Sequence, residues 1–137
     1  MPYQTFEDFV ARVPIARQHG YREVARTEDS VTLACSVLPE MLQTEDRVHG
    51  GVLSTLADSA AVWLLYPGVP DDRALTSIEF KLNFLRPALG DAGDLVATAH
   101  LVRRGRTISL CDVEVSQDER LVAKGLFTYL VSARSPG

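Results

Sequence analysis

Residues 49–66 read HGGVLSTLADSAAVWLLY, a histidine and two glycines followed by a long apolar segment. The glycines permit unusual dihedral angles or the close approach of another group, and Pro67 closes the segment. The sequence therefore predicts one buried helix over about residues 50–66. Polar residues, among them Asp58, interrupt the apolar run, which is too short and too polar to span a membrane.

The flanking sequence predicts β-strands on both sides of this helix. Residues 21–38 are rich in valine and threonine around a Glu-Asp-Ser turn, which indicates two antiparallel strands. Residues 78–85 alternate apolar and polar side chains, as in a half-buried strand. Three further strands are predicted as a meander at residues 94–102, 107–116 and 121–131. A short amphipathic helix at residues 5–16 precedes all of these elements.

An apolar helix among five or six antiparallel strands can be covered only if the sheet curls around it. The predicted fold class is therefore α+β, a single domain over residues 1–137 in which a curved antiparallel β-sheet of five to six strands wraps around a central apolar α-helix. Such a sheet leaves a long apolar edge strand exposed, and pairing with a second copy would cover it. We therefore expect a homo-oligomer, either a homodimer or a homotetramer.

The composition narrows the possible partners and location. The 137 residues carry a formal net charge of −4, with basic residues scattered along the chain, so no nucleic-acid partner is expected. The first ten residues lack the basic start and apolar centre of a secretory signal, so we expect a cytoplasmic location without a membrane partner. Cys35 and Cys111 lie in apolar runs, where reduced thiols act as core side chains. No spacing predicts a metal site or a redox cofactor.

Asp58 lies two turns into the apolar helix, where an ionised carboxylate is costly unless partners compensate for its lost hydration. One interpretation is structural: Ser54 or Thr55, one turn earlier, hydrogen-bonds the carboxylate, or the side chain points to solvent. The other interpretation is a carboxylate with a tuned pKa that acts as general base or nucleophile. Taken without further context, the residues support these two interpretations about equally.

The His-Gly-Gly sequence places backbone donors at the start of the same helix. The amides of Gly50 and Gly51 are among the N–H groups that a helix leaves without partners, at the positive end of its dipole. Such donors suit an oxyanion, although two glycines also make an ordinary turn before a helix. His49 could act as a base, but a histidine at a helix start more often orients or caps the local backbone, and we favour that structural role.

Two segments, HGGVLSTLAD at residues 49–58 and EFKLNFLRPA at residues 79–88, are more specific together than apart. They combine His-Gly-Gly, an acid nine residues after the histidine, and a strand that ends in Arg-Pro. This combination resembles the phenylacetic-acid-degradation (PaaI-type) thioesterases of the hotdog superfamily, and the resemblance extends from about residue 14 to residue 131. It implies a hotdog fold, acyl-CoA thioesterase activity and active sites at the interface of two subunits.

The resemblance also implies roles for individual residues. Asp58 would be the general base or nucleophile, and Gly50 would donate its amide to the oxyanion from the opposite subunit. Gln43 would help to place the carbonyl or the water, and Ser77 would hold the attacking water. Val62 departs from one branch of the family, which uses a threonine or serine there for an aromatic substrate. This departure weakens the case for the hydroxybenzoyl substrate of that branch.

The implied substrate is a small aryl- or medium-chain acyl-CoA, hydrolysed to the free acid and CoA without a separate cofactor. Gly51 and Val62 are further candidates for substrate contact. Coenzyme A carries phosphates, which need cations near the mouth of the site. The candidate cations are Arg86, Arg103, Arg104 and Arg106. A solvated hairpin turn explains any single arginine of the last three equally well.

Two alternatives come from other functional classes. The first is a non-catalytic module that binds or senses acyl-CoA, which would have no need for an acid beside an oxyanion site. The second is a hotdog hydratase acting on enoyl-CoA, which would need an aspartate and a histidine set close together. His49 and Asp58 are nine residues apart on the helix start and body, which fits a hydratase poorly.

Overall fold

The computed structural model describes residues 3–134 and contains a six-stranded antiparallel sheet with a long helix packed against it. The helices are α1 (Phe6–Arg12), α2 (Pro14–Gln18) and α3 (Gly50–Leu65). The strands are β1 (Arg22–Arg26), β2 (Ser30–Cys35), β3 (Arg73–Phe84), β4 (Leu95–Arg104), β5 (Ile108–Gln117) and β6 (Arg120–Ala133). The sheet order is β1-β2-β4-β5-β6-β3. This architecture confirms the predicted α+β class.

The central helix α3 begins and ends close to the predicted positions, and it packs mainly against β2, β4 and β5. Its buried side chains include Leu53, Leu56, Trp63 and Leu64, which form the core with the inner face of the sheet. The thiols of Cys35 and Cys111 are free and buried, and burial raises their pKa to about 11 and about 12. Among residues 3–134, no helix combines the length and apolar character needed to cross a bilayer.

The N-terminal helix predicted at residues 5–16 is instead two short helices, α1 and α2, separated at Val13. Pro14 is the first residue of α2. A proline lacks the N–H that would continue the preceding helix, but its fixed φ suits a first helical position. Thr5 caps α1, because its hydroxyl accepts a hydrogen bond from the Asp8 amide at 3.0 Å.

Strand β3 lies at an edge of the sheet beside β6, whereas β4, β5 and β6 form the predicted meander. It begins at Arg73, five residues earlier than predicted. The register between β3 and β6 shifts between Ser77 and Glu79, so a bulge interrupts the alternation of side chains. This interruption conceals the first half of the strand from a search for strict alternation.

The β3 edge carries large apolar side chains that this chain leaves uncovered. Ile78, Phe80 and Phe84 are 51%, 46% and 54% exposed, and Leu85 after the strand is 56% exposed. Phe80 stacks on the buried ring of Phe127 in β6, with 4.9 Å between the ring centroids. A long edge strand with exposed apolar groups is a surface that strand pairing with another chain would cover.

Candidate active site

Asp58 lies half-buried in the middle of α3 and lines a cavity of about 330 Å³, here called the Asp58 cavity. Apolar and aromatic side chains form most of its wall, among them Phe9, Val13, Ile15, Val62, Tyr66 and Leu75. Among the described residues that line this cavity, Asp58 carries the only charged side chain. The N-terminal segment and α3 therefore enclose a single carboxylate in largely apolar surroundings.

Tyr129 on β6 is the hydrogen-bond partner of this carboxylate. Its hydroxyl donates to Asp58 Oδ1 at 2.6 Å. The hydroxyls of Ser54 and Thr55 donate instead to backbone carbonyls one turn earlier in α3, at 3.0 Å and 2.8 Å. The first form of the structural interpretation, in which Ser54 or Thr55 hydrogen-bonds the carboxylate, is therefore wrong.

Burial raises the pKa of Asp58 above its ordinary value, and the hydrogen bond from Tyr129 acts in the opposite direction. The pKa of Tyr129 is also raised, first by burial and then by the neighbouring carboxylate. Tyr129 therefore remains a neutral donor at physiological pH. A half-buried carboxylate with a raised pKa in an apolar cavity has the properties expected of a general base or nucleophile.

The three residues at the start of α3, from the cap His49 to Gly51, have different roles. His49 Nδ1 accepts a hydrogen bond from the Gly51 amide at 2.9 Å and so caps the helix. This bond occupies the Gly51 amide. Within the described part of the chain, residues 3–134, the Gly50 amide has no acceptor. The dipole of α3 adds partial positive charge at the same position, so Gly50 is the donor available to an oxyanion.

Gly50 lines a second cavity of about 400 Å³, here called the Gly50 cavity, together with Gln43, Phe84 and Arg86. The Gly50 cavity and the Asp58 cavity share no lining residue. Eight residues along a helix correspond to a separation of roughly 12 Å. A reacting carbonyl lies within about 3.5 Å of the group that attacks it. Gly50 and Asp58 of one copy are therefore too far apart to act on the same carbonyl.

Two further predicted residues follow the same division, whereas Ser77 lines neither cavity. Val62, one turn after Asp58, lines the Asp58 cavity, and Gln43 lines the Gly50 cavity. Ser77 is paired with Tyr129 across β3 and β6. Directly paired residues of antiparallel strands point to the same face of a sheet, so Ser77 shares the face that carries Tyr129 towards α3.

The four predicted arginines do not form one patch. Arg86 lies beside the start of α3, in the Gly50 cavity. Arg104 donates to the carbonyl of Leu65 at 3.1 Å, at the opposite end of the helix, where a cation satisfies a free carbonyl and favours the dipole. Arg103, near the end of β4, and Arg106, in the turn between β4 and β5, are both exposed. Arg104 thus has a structural contact that the sequence does not reveal.

Tyr129 is the site residue that the sequence analysis missed. It follows the buried Phe127 by two residues in β6, and Val131 follows it by two more, so the pattern is that of core positions in a strand. The available signal is weak: a buried tyrosine hydroxyl requires a partner. That partner lies 71 residues away in the sequence. Among residues 3–134, no cluster of three or more His, Cys, Asp or Glu side chains could hold a metal ion.

Comparison with known proteins finds a matching family and several proteins of similar sequence. The sequence pattern of the family described as Thioesterase superfamily matches residues 46–124. The chain is 32% identical over 110 residues to acyl-coenzyme A thioesterase PaaI of Escherichia coli K12, covering 79% of this chain and 75% of PaaI. It is 26% identical to the medium/long-chain acyl-CoA thioesterase YigI of the same strain, covering 91% of this chain and 90% of YigI.

The structure is similar to that of a mutant thioesterase from Pseudomonas aeruginosa, with a TM-score of 0.87, 24% identity and 96% of each chain covered. This likeness confirms the hotdog fold. The chain spans only 46% and 66% of the lengths of two further relatives, from Halobacterium salinarum and Caenorhabditis elegans. The family match covers more than half of the chain and the match to PaaI is 32% identical, so the predicted resemblance is confirmed. This chain belongs to the thioesterase superfamily, and it is of the hotdog-fold, PaaI type.

Proposed function

We propose that this protein hydrolyses a small aryl- or medium-chain acyl-CoA to the free acid and CoA. The observation that carries this proposal is the lone carboxylate of Asp58 in an apolar cavity, on the helix whose start presents the free Gly50 amide. PaaI and YigI are named as acyl-CoA thioesterases, which supports a CoA thioester as the substrate.

Each active site combines the Asp58 cavity of one copy with the Gly50 cavity of a second copy. The separation of the two cavities in one chain supports this arrangement. So does the β3 edge, since a Cβ added at Gly50 would lie 3.1 Å from the ring of Phe84, which is 54% exposed at the end of β3. The surface that a second copy would cover therefore borders the free amide. A homodimer follows from this arrangement.

The reaction begins when the thioester carbonyl oxygen accepts a hydrogen bond from the Gly50 amide, with Gln43 beside it. Asp58 of the other copy then attacks the carbonyl carbon, or it takes a proton from a water molecule that attacks. Negative charge develops on the carbonyl oxygen at the positive end of α3, which stabilises it. The CoA thiolate leaves with the electrons of the C–S bond. If Asp58 has attacked, water held near Ser77 hydrolyses the resulting anhydride.

The substrate extends from this centre into both cavities. The acyl group occupies the Asp58 cavity, whose volume of about 330 Å³ and apolar wall suit an aromatic ring or a chain of medium length. Of the four predicted arginines, Arg86 is the one that lines the Gly50 cavity, so it is the one of these best placed to meet a phosphate of CoA. Val62 offers no hydroxyl to the acyl group, which favours an acyl group without a polar substituent at that position.

Mixing two inactive variants tests the shared site. Asp58→Ala removes the acid and Gly50→Pro removes the amide donor, and each protein alone is expected to be nearly inactive. Chains of the two variants, unfolded and refolded together, form mixed dimers in half of the cases, and each mixed dimer has one intact site. The mixture should therefore recover about a quarter of the wild-type rate of CoA release. If each site lies within one copy, mixing restores nothing and the shared-site proposal fails.

Val62→Phe is expected to change the preference for the acyl group. The larger side chain reduces the Asp58 cavity, so kcat/KM should fall by roughly tenfold for phenylacetyl- and octanoyl-CoA but little for acetyl-CoA. The same replacement at Val24, which is 60% exposed on β1, provides the matched control. An unchanged acyl preference in Val62→Phe would place the acyl group elsewhere.

A further inference from the structure

The side chain of Asp58 accepts one hydrogen bond from the described residues, and that bond comes from Tyr129. The distance of 2.6 Å between Tyr129 Oη and Asp58 Oδ1 is typical of a hydroxyl that donates to a carboxylate. The same hydroxyl lies 3.3 Å from the Asp58 backbone carbonyl. Tyr129 therefore reaches across from the sheet to α3 at the position of the acid.

The Tyr129 hydroxyl is held in place by its surroundings, and it bonds one of the two oxygens of the Asp58 carboxylate. Tyr129 has no exposed surface, and its strand lies between β5 and β3 in the sheet. A ring enclosed in this way has little freedom to move away from the carboxylate. Among residues 3–134, no hydrogen bond reaches Asp58 Oδ2. The two carboxylate oxygens are therefore unequal before any substrate binds.

We propose that Tyr129 is a positioning residue that holds Asp58 Oδ1, so that Oδ2 is the oxygen that attacks the thioester or accepts the proton of the attacking water. This inference rests on the proposed function, because it assigns a role in the reaction that Asp58 carries. The bond has a second consequence. It favours the ionised carboxylate, which both reaction paths require, against the burial that favours the protonated form.

No other charged group surrounds the carboxylate in the part of the chain that the structure describes. The titratable side chains that line the cavity or act on Asp58 and Tyr129 are Tyr3, Tyr21, Tyr66 and Cys111. Burial raises the pKa of both Tyr21 and Cys111, so these two groups are neutral at physiological pH. The Tyr21 hydroxyl lies 3.4 Å from His19 Nδ1, and within the described residues it makes no hydrogen bond to Asp58. Tyr129 is therefore the group that opposes the effect of burial.

Tyr129→Phe removes the hydroxyl and keeps the ring. In the wild type the hydrogen bond from Tyr129 lowers the pKa of Asp58, so its loss should raise that pKa. The acid limb of the pH profile of kcat/KM should therefore move to higher pH. Loss of orientation should also reduce kcat by roughly tenfold on the plateau, with KM nearly unchanged. Tyr21→Phe is the matched control, since it removes a second buried hydroxyl near the site. Its pH profile should match that of the wild type.

Titration of the Asp58 carboxyl carbon by ¹³C NMR, without substrate, measures the same effect independently of turnover. The signal is assigned by its absence in Asp58→Asn. It should titrate at higher pH in Tyr129→Phe than in the wild type or in Tyr21→Phe. If no thioester is hydrolysed by any of these proteins, the proposed function fails, and this titration still decides whether Tyr129 controls the carboxylate.

If Tyr129→Phe does not fold, a fluorotyrosine at position 129 takes its place in the test, because it keeps both the ring and the hydroxyl. Fluorine makes the phenol a stronger donor, so the acid limb and the carboxyl titration should both move to lower pH, opposite to Tyr129→Phe. A role confined to packing predicts no shift in either direction. Unchanged titration of Asp58 in a folded Tyr129→Phe protein, or in the fluorotyrosine protein, would overturn the proposal.

Discussion

Asp58→Asn is expected to lower kcat for acyl-CoA hydrolysis by at least about a hundredfold. Asparagine has nearly the same shape as aspartate, and its side-chain oxygen can accept the hydrogen bond that Tyr129 donates to Asp58 Oδ1. The variant therefore loses the negative charge and the basic oxygen while the local packing remains. The measurement is the release of CoA thiol from a panel of aryl- and alkyl-acyl-CoAs at equal concentrations of folded dimer.

Asp58→Asn, which should lower kcat, should at the same time raise the stability of the folded protein at neutral pH. The pKa of Asp58 is raised in the folded state, so between its unfolded and folded values the folded protein binds more protons than the unfolded chain. The free energy of unfolding therefore falls as the pH rises through that interval, and the loss persists above it. At neutral pH, Asp58→Asn should melt at a higher temperature than the wild type. The difference should vanish below a pH of about 3.9, the ordinary pKa of an aspartate.

Retained kcat in the Asp58→Asn protein would exclude Asp58 as the acid. A wild-type protein that binds acyl-CoA tightly and hydrolyses no thioester would exclude the enzyme altogether. That outcome would favour the non-catalytic acyl-CoA binding module as the function. Reduced activity together with a lower melting temperature at neutral pH would point instead to a structural role for the carboxylate.

The parts of the fold that local sequence patterns determine were predicted well. The helix α3 has an apolar segment with glycines before it and a proline after it, and the strands of the meander have polar turns between them. Two features were predicted incorrectly for local reasons. Pro14 divides the N-terminal helix, although the apolar spacing continues across it. The bulge after Ser77 hides the beginning of β3, where alternation of side chains fails.

The candidate site could be predicted where its residues are close in sequence. Gly50 and Asp58 lie on one helix, and an acid in an apolar helix attracts notice without a structure. Tyr129 could not be found in this way, since strand pairing alone brings it to an acid 71 residues away. Arg104 is similar: its contact with the helix end depends on where the β4–β5 hairpin lies. The sequence alone also does not show that the Asp58 cavity and the Gly50 cavity are separate.

Gly50→Pro is expected to reduce kcat by on the order of a hundredfold or more, because it removes the backbone N–H that stabilises the oxyanion. Proline is well suited to the first position of a helix. The preceding residue, His49, has φ −63° and ψ 136°, an extended conformation that a following proline favours. The cap from His49 to the Gly51 amide remains available. The helix should therefore form normally without its free donor.

Gly50→Ala separates the loss of the amide from crowding at this position. Alanine keeps the N–H, and its Cβ would lie 3.1 Å from the ring of Phe84, as the proline Cβ also would. That ring is 54% exposed and can shift, so Gly50→Ala should retain most of the activity. The hydrogen bond from the Gly50 amide is much stronger to the charged oxyanion than to the neutral carbonyl of the bound substrate, so Gly50→Pro should lower kcat and kcat/KM by similar factors. Equal losses in the proline and alanine proteins would show that crowding, and not the amide, matters at Gly50, and the oxyanion donor would have to lie elsewhere.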